Sequence, residues 1–355
     1  MLANGENMAG WTPSASKAEM IEKYRLIGES EAFLDCMQKV SSLAKVDRPV
    51  LIIGERGTGK ELVAARLHFL SNRWENPRIC INCAAFAESL LESEVFGYEP
   101  GAFTGAQKLK PGRFELANQG TLFLDELAQS PRSLQEKLLR VLEYQEFERV
   151  GGTETISVDV RVIAATNQNL PALCEEGKFK KDLLDRLSFE VITLPPLRHR
   201  REDIPILAGF FSRRMAVELH FKHPPLFSKK VMERMLTYSW PGNIRELKNV
   251  VERATYQTEG DPVIEEIILD PFESPHRQFP LIGVESPVPL SKPDSMAAIK
   301  EQSGMNLVKA KEILEKEFVE NALECSRFHF GKAAELLGLS YHQFRRLLEK
   351  HDLGS

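Results

Sequence analysis

A run of four apolar residues followed by a glycine-rich loop constrains the fold of this chain more than any other feature. The segment is Val50-Leu51-Ile52-Ile53-Gly54-Glu55-Arg56-Gly57-Thr58-Gly59-Lys60-Glu61. Its apolar run predicts a fully buried strand of a parallel sheet, and the residues after it predict a helix. In such a loop, backbone N–H groups point at phosphate oxygens, and Lys60 reaches the β- and γ-phosphates. We therefore predict a nucleotide-binding P-loop, with a glycine turn in an unrelated α/β protein as the alternative.

Two adjacent acids are the best candidates for the chemistry beside this loop. Glu61 stands where a serine or threonine commonly binds Mg²⁺, so the metal needs a carboxylate from elsewhere in the chain. A buried strand pattern at 120–124 runs directly into Asp125 and Glu126. Adjacent carboxylates at a rigid strand end suit a Mg²⁺ ligand, Asp125, and a group that polarises the attacking water, Glu126. A solvated acidic turn is the alternative.

Polar residues also end two other strand patterns. Asn82 ends the second predicted strand, and Thr166 and Asn167 end the fourth. Ligands of open parallel sheets collect at the carboxyl ends of the strands, so these side chains are candidates for contact with water or the γ-phosphate. A fifth strand is predicted at 189–194.

Bulk composition excludes several classes of protein. The 355 residues have room for two or three domains, and a formal charge of −5 disfavours a protein that coats nucleic acid, although it permits a small DNA-binding module. No apolar run approaches the ~18 residues of a membrane span, and the first residues do not resemble a signal peptide. We expect a cytoplasmic protein without membrane insertion. Cys80 and Cys83 have zinc-like spacing, but no second pair accompanies them, which disfavours a metal or redox site.

The second half of the chain changes character. From about 197 to 270 helical patterns replace strands, with a turn and N-cap at 240–243, and we interpret this stretch as a helical lid. Residues 271–293 contain six prolines and predict a semi-extended linker. Residues 1 to about 20 are expected to form a loose leader.

The C-terminal residues predict a helix-turn-helix. Two short predicted helices are separated by a turn at Gly338-Leu339-Ser340. Residues 328–350 contain four Lys or Arg residues and two Glu residues, so the segment is locally basic. A helix hairpin that only dimerises is the alternative. The DNA-binding candidates are Ser340, which can cap the second helix, and Tyr341, His342, Gln343, Arg345 and Arg346.

The segment 97–107 has an unusual composition. Phe103 lies between glycines and is followed by a polar tail, which fits neither the core of a helix nor that of a strand. The residues alone predict a mobile surface loop.

Five motifs occur together in one order, at residues 54–61, 101–106, 120–126, 165–167 and 240–247. In this order they resemble the AAA+ transcription activators that work with σ54 RNA polymerase, over about residues 21–355. The hexapeptide Gly101-Ala102-Phe103-Thr104-Gly105-Ala106 is the most specific of the five.

This resemblance implies the fold and its divisions. The expected fold is an α/β AAA+ P-loop ATPase with a five-stranded parallel sheet, a helical lid and a C-terminal helix-turn-helix domain. The expected divisions are a flexible leader (1–20), the ATPase subdomain (21–196), the lid (197–270), a proline-rich linker (271–300) and a Fis-like DNA-binding domain (301–355).

The resemblance also implies roles for single residues, with ATP and Mg²⁺ as cofactors. Residues 54–61 would bind the nucleotide, Asp125 the metal, and Glu126 would activate water with Asn82 as its switch partner. Thr166 and Asn167 match the first sensor, and Arg245 matches the lid sensor. The hexapeptide would contact σ54, and hydrolysis would move it to convert the closed promoter complex into the open one, while the C-terminal domain binds double-stranded enhancer DNA.

One position departs from the family pattern. These activators usually carry arginines at both 180 and 186 that reach the neighbouring subunit's γ-phosphate, whereas this chain has Lys180 and Arg186. Lysine keeps the charge but lacks the planar fork, so our hypothesis is that Arg186 carries the trans role and Lys180 supplements it. Groups acting in trans require a ring, and the resemblance implies a hexamer.

The sequence also bears on how the protein is controlled and on which other functions are possible. With no receiver-like segment, we expect control by a partner or by concentration. Trp74 is a candidate docking point for a negative regulator, although Trp74 folded onto its own domain fits the sequence equally well. A DNA-binding regulator whose ATPase fold only oligomerises is disfavoured by Asp125 and Glu126. A general AAA+ remodeller is disfavoured by the hexapeptide and the helix-turn-helix.

Overall fold

The computed structural model describes residues 17–272 and, in the C-terminal part, residues 315, 316, 318, 319, 323, 330, 334, 337, 339 and 341–351. The chain divides into two compact units after Pro271. In the described part of the chain, every helix is too short or too polar to cross a membrane.

The first unit is built on a sheet of five parallel strands in the order β2-β3-β4-β1-β5. The strands are β1 (Val50–Ile53), β2 (Arg78–Asn82), β3 (Thr121–Asp125), β4 (Arg161–Thr166) and β5 (Val191–Thr193). The predicted five-stranded parallel sheet is therefore confirmed. In its register, Asn82 lies opposite Asp125 and Ile53 lies opposite Thr166, so the polar strand ends meet at one edge.

Helices cover both faces of this sheet. They are α1 (Lys17–Lys23), α2 (Glu31–Ala44), α3 (Lys60–Phe69), α4 (Glu88–Phe96), α5 (Arg113–Leu116), α6 (Arg132–Tyr144), α7 (Leu170–Glu175) and α8 (Lys181–Leu187). In β1, Leu51 belongs to the core on one face, and Val50 and Ile52 belong to the core on the other, with α2 and α3. Because both faces are buried, the strand is continuously apolar rather than alternating.

The lid consists of α9 (Asp203–Glu218), α10 (Lys229–Thr237) and α11 (Asn243–Gln257). Its core surrounds Trp240, which is fully buried and donates its indole N–H to Met235 O at 2.8 Å. The expectation that this stretch has no strands is wrong, because Leu226–Phe227 pairs with Val263–Ile264. Two-residue strands are too short to produce an alternating pattern in the sequence.

Two further strand pairs were not foreseen. Gly97–Tyr98 pairs with Lys110–Pro111, and Glu146–Glu148 pairs with Thr155–Ser157, both antiparallel. The leader predicted for residues 1–20 also needs correction at its end, since α1 begins at Lys17. Residues 1–16 lie outside the described residues.

In the second unit, helix α12 (Tyr341–Lys350) buries Phe344 and Leu348 with Val319, Leu323 and Ala334. The linker predicted from 271 lies outside the described residues from 273 onward.

Candidate nucleotide site

The P-loop (residues 54–60) connects β1 to α3. Gly57 and Gly59 have φ of 78° and 100°, in the left-handed region that glycine enters without a steric penalty. The hydroxyl of Thr58 donates to Glu55 O at 2.8 Å and closes the loop. The loop therefore has the curved backbone that the glycines predict.

Lys60 is the first residue of α3 and is only 7% exposed. Its ammonium donates to Gly54 O at 3.0 Å and to Glu55 O at 3.3 Å. Burial lowers the pKa of Lys60, and the carboxylates of Glu126 and Asp125 oppose this shift. The cation and both acids therefore face one site.

Asp125 and Glu126 stand at the end of β3. Asp125 is the last residue of the strand, and its Oδ1 accepts a hydrogen bond from Glu126 N–H at 3.0 Å. Glu126 has φ of 51°, an uncommon value for a residue with a side chain. Such backbone outliers cluster at functional sites, where the surrounding structure holds them in place.

The other predicted polar residues lie at neighbouring strand ends. Asn82 stands opposite Asp125, and its Oδ1 accepts from Ala84 N–H at 2.8 Å. Thr166 is fully buried, and its carbonyl accepts from Gly54 N–H at 3.2 Å. The buried Oδ1 of Asn167 has no hydrogen-bond partner among the described residues.

These observations test whether the site fits a magnesium nucleotide. A buried carbonyl oxygen without a partner is costly, so Asn167 suits a ligand or water at this position. The left-handed glycines curve the loop so that its backbone N–H groups can bind a phosphate. Lys60 supplies a cation, and Asp125 supplies the oxygen ligand that Mg²⁺ prefers. The residues of this site therefore fit a magnesium nucleotide.

A contact between the P-loop and the lid was missed by the sequence analysis. Arg198 donates two hydrogen bonds to the carboxylate of Glu55, at 2.8 and 2.5 Å. Asn243 donates to the same carboxylate at 3.0 Å, and together these contacts lower the pKa of Glu55 to about 2. We call Glu55, Arg198 and Asn243 the clamp.

Asn243 has a role in the clamp that the turn and N-cap predicted at 240–243 do not indicate. The N-cap of α11 is Gly242, within the predicted range, and the helix begins at Asn243. Gly242 N–H donates to Glu246 Oε2 at 2.7 Å, so a side chain from inside the helix closes its N-terminus. The side chain of Asn243 turns toward the P-loop instead.

Cys83, near the site, is held in the thiol form, because burial raises its pKa to about 12. Cys80 is exposed. Within the described residues, no three His, Cys, Asp or Glu side chains are arranged to hold a metal ion.

Comparison with known proteins identifies the family. The σ54 interaction domain matches residues 26–193, the AAA+ ATPase lid domain matches 198–276, and the Fis family of bacterial regulatory proteins matches 312–351. The Psp operon transcriptional activator of Escherichia coli (strain K12) is 51% identical over 332 residues, which cover 93% of this chain and 99% of the relative. The chain belongs to the σ54-dependent transcriptional activators.

Solved structures agree with this assignment. NtrX from Brucella abortus in complex with ADP is 35% identical, with a TM-score of 0.65 over 94% of this chain and 71% of NtrX. Its complex with ATP is 34% identical, with a TM-score of 0.63 over 93% of this chain and 69% of NtrX. The AAA+ domain of this activator is an ATPase domain, and ATP is its nucleotide. The expected membership of the σ54-dependent activators, the fold class and the ATPase activity are confirmed.

In this activator, the lid-sensor candidate Arg245 lies against the P-loop. A Cβ placed on Gly57 would lie 3.0 Å from Arg245 Cβ, and the positive charge of Arg245 contributes to the lowered pKa of Lys60. Glu61 is exposed in the first turn of α3.

The two candidates for action in trans lie at α8. Lys180 donates to Glu136 Oε1 at 2.9 Å, and Arg186 donates to Glu143 Oε1 at 3.0 Å. Both carboxylates belong to α6. Arg186 is the more accessible cation, with its side chain 58% exposed against 22% for Lys180.

The hexapeptide loop (residues 101–106) is closed by its own backbone. Gly101 N–H donates to Ala106 O at 2.8 Å, and Ala106 N–H donates to Phe103 O at 3.0 Å. Phe103 is 41% exposed although its ring contacts that of Tyr98, with centroids 4.9 Å apart. The loop therefore presents an aromatic side chain at the surface.

A second turn braces the base of this loop. Glu99 N–H donates to Val150 O at 3.0 Å, and Arg149 donates to Glu99 at 2.7 Å. Gly151 has φ of 77° and lies so close to the loop that an added Cβ would be 2.7 Å from Ala102 Cβ. No pattern in the sequence indicates that this turn contacts the loop.

The remaining candidates lie elsewhere. Trp74 is half-buried in the turn after α3. In α12, Gln343, Arg345 and Arg346 are exposed. Ser340 and the side chains of Tyr341 and His342 lie outside the described residues.

Proposed function

We propose that this activator uses ATP hydrolysis to convert a closed σ54 polymerase complex into an open one. The observation that carries the proposal is the hexapeptide loop, which presents Phe103 from the same AAA+ unit that holds the P-loop. An exposed aromatic at a loop tip suits contact with a protein partner. The strand ends beside the P-loop supply groups for hydrolysis.

Within the ATP site, the roles follow from position and charge. The P-loop and Lys60 would bind the phosphates, and Asp125 would hold Mg²⁺, which would supply positive charge beside them. Glu126 accepts a proton from the attacking water, and Asn82 orients that carboxylate. Thr166 and Asn167 contact the γ-phosphate side of the site, and Arg245 contacts the nucleotide from the lid.

The site is completed by a neighbouring subunit. We propose a hexameric ring in which Arg186 reaches the phosphates of the adjacent site and Lys180 assists. The greater exposure of Arg186 supports this order, because reaching the neighbour requires only the release of a surface ion pair with Glu143.

Enhancer binding belongs to the C-terminal domain. Arg345, Arg346 and Gln343 lie exposed on α12, where they can contact phosphates or base edges of double-stranded DNA. We propose the same role for Ser340, Tyr341 and His342. The proposed divisions remain a leader, the ATPase subdomain, the lid, the linker from 271 and the Fis-like domain from 301.

Control in trans is part of the proposal. We propose that a negative regulator docks at the turn of Trp74, which is half-buried. Loss of binding in Trp74→Ala would support this contact. We propose a cytoplasmic location for the activator.

The experiment separates hydrolysis from remodelling. Thr104→Ala and wild-type full-length proteins are compared for ATPase activity and for open-complex formation at a σ54 promoter. We expect Thr104→Ala to hydrolyse ATP within about twofold of wild type, because a surface side chain contributes little to the fold, while open complexes are lost. Normal open-complex formation by Thr104→Ala would contradict the proposal. Ser42→Ala, an exposed hydroxyl on α2, serves as the control.

A further inference from the structure

The P-loop contains an acid, Glu55, whose carboxylate is paired with residues next to the lid. All residues of 54–61 are expected to bind nucleotide, yet an unpaired carboxylate in a phosphate-binding loop would repel the ligand. The carboxylate of Glu55 instead takes two hydrogen bonds from Arg198 and one from Asn243. Its negative charge is therefore compensated by hydrogen bonds within the protein.

Asn243 joins three segments of the chain. Its Nδ2 donates to Glu55 Oε2 at 3.0 Å and to Arg56 O at 3.1 Å, while its Oδ1 accepts from Leu197 N–H at 2.8 Å. The residue is fully buried and has φ of 53°. Such a conformation persists only where the surroundings determine it strongly.

The backbone strengthens the same contact. Ile244 N–H donates to Gly57 O at 3.1 Å. A Cβ on Gly57 would lie 2.2 Å from Gly242 O, so only glycine fits this close approach. Arg245, the lid-sensor candidate, follows directly in the chain. The N-terminus of α11 is therefore attached to the P-loop at several points.

We propose that the clamp is a positioning device that holds the P-loop in its phosphate-binding shape and couples it to the lid. Arg198 precedes α9 and Asn243 opens α11, so a shift of the lid displaces Glu55. Conversely, a phosphate that orders the P-loop favours one lid position. Glu55, Arg198 and Asn243 act through the loop and do not touch the nucleotide.

The direction in which Glu55→Gln changes ADP affinity tests this assignment. If Glu55 acted only through its charge near the phosphates, Glu55→Gln would remove a repulsion and strengthen ADP binding. If Glu55 positions the loop, Glu55→Gln weakens ADP binding by about tenfold, because charged hydrogen bonds that hold the loop are lost. Both side chains of the ion pair are partly exposed, so the glutamine variants are expected to fold.

The experiment uses the full-length activator and ADP as the probe. The dissociation constant of ADP is measured by calorimetry for wild type, Glu55→Gln, Arg198→Gln and the double variant. We expect each single variant to bind about tenfold more weakly and the double variant to be no weaker, because the two residues act as one unit. Arg253→Gln is the matched control, since this lid arginine donates to Ile268 O away from the loop.

Thermal unfolding distinguishes positioning from general stability. Ligand binding raises the melting temperature according to the affinity for the folded state, so the increase produced by ADP should shrink in both single variants. A lower melting temperature without ADP, together with unchanged ADP affinity, would show that the clamp only stabilises the fold. Stronger ADP binding by Glu55→Gln, or additive losses in the double variant, would also overturn the proposal. Because these measurements use only the activator and ADP, their outcome is separate from a failure of promoter remodelling.

Discussion

Lys60 in the ATP site is 7% exposed, whereas Phe103 at the tip of the hexapeptide loop is 41% exposed. The first is surrounded by strand ends, and the second rests on one aromatic neighbour, Tyr98. Hydrolysis requires groups held in a fixed geometry and shielded from bulk water. Contact with a large partner requires an accessible side chain, so the two regions differ for a physical reason.

The two regions also differ in how they are held. The P-loop is fixed by the lid, by Thr166 of the neighbouring strand and by its own hydroxyl bond from Thr58. The hexapeptide loop is held mainly at its base, through Glu99 and the turn at 149–152. This base is therefore a route by which a change in the ATP site can reach the loop. The following predictions test this contrast, beginning with the largest effect.

The largest effect is expected at Arg186. Arg186→Ala should lower ATP hydrolysis by about 1,000-fold, because an arginine supplied to a neighbouring site stabilises the transferred phosphoryl group. Lys180→Ala should lower it by only about tenfold, since a lysine cannot form the planar two-bond contact. Phosphate release from the assembled protein is the measurement.

A mixing experiment shows whether Arg186 acts in trans. Arg186→Ala and Glu126→Gln subunits, each inactive alone, are combined before the assay. Mixed rings contain some sites with both Glu126 and a neighbour's Arg186, so activity should return. No recovery in mixed rings, or normal hydrolysis by Arg186→Ala beside an inactive Lys180→Ala, would contradict the assignment.

Glu126→Gln should lower hydrolysis by about 100-fold while ADP still binds, because it removes the proton acceptor and keeps the shape of the side chain. Phosphate release and calorimetric ADP binding are measured on the same sample. Glu146→Gln, an acid at the start of a short strand pair, is the control. Rapid hydrolysis by Glu126→Gln would place the proton acceptor elsewhere.

Gly151→Ala should disturb the loop while leaving the ATP site intact. An added Cβ meets Ala102, and φ of 77° is unfavourable for alanine, so the brace must shift. We expect open-complex formation to fall about fivefold, in line with a local cost near 1 kcal/mol, while hydrolysis stays near wild type. Gly177→Ala is the matched control, because Gly177 has φ of 70° and open space around it. Equal effects of the two variants would show that contact with the loop is unimportant.

The smallest effect concerns His68, on the helix that follows the P-loop. Burial, with Arg78 and Arg161 nearby, lowers its pKa to about 3, and its Nδ1 lies 2.9 Å from Thr121 Oγ1. A lowered pKa means that the unfolded state binds more protons, so this residue reduces stability as pH falls below about 6.5. We expect the His68 ring to remain neutral at pH 5 in an NMR titration. A midpoint near the ordinary value would show that the packing of α3 is looser.

Much of the ATP site could be predicted because its residues are adjacent in sequence or end recognisable strands. The P-loop follows one apolar run, and Asp125 and Glu126 follow another. The clamp could not be predicted in this way, since Glu55, Arg198 and Asn243 are separated by more than 40 residues at each step. No periodic pattern links them.

The hexapeptide loop was likewise predicted only in part from the sequence. Its glycines and Phe103 stand out in the sequence, and they predict an exposed loop. Its brace depends on Gly151, about 50 residues later, and on the approach of that glycine to Ala102. The strand pairs on either side are two or three residues long, which is too short for a pattern to be recognised.

By itself, the sequence determined the five strands of the parallel sheet, the P-loop, the acids at a strand end and the family, because each depends on neighbouring residues and on local backbone preference. Only the tertiary structure decided that Glu55 is paired with Arg198, that Asn243 turns away from its helix toward the P-loop, and that Gly151 supports the hexapeptide loop. These contacts arise when distant segments pack together, and burial then decides which polar groups must find partners.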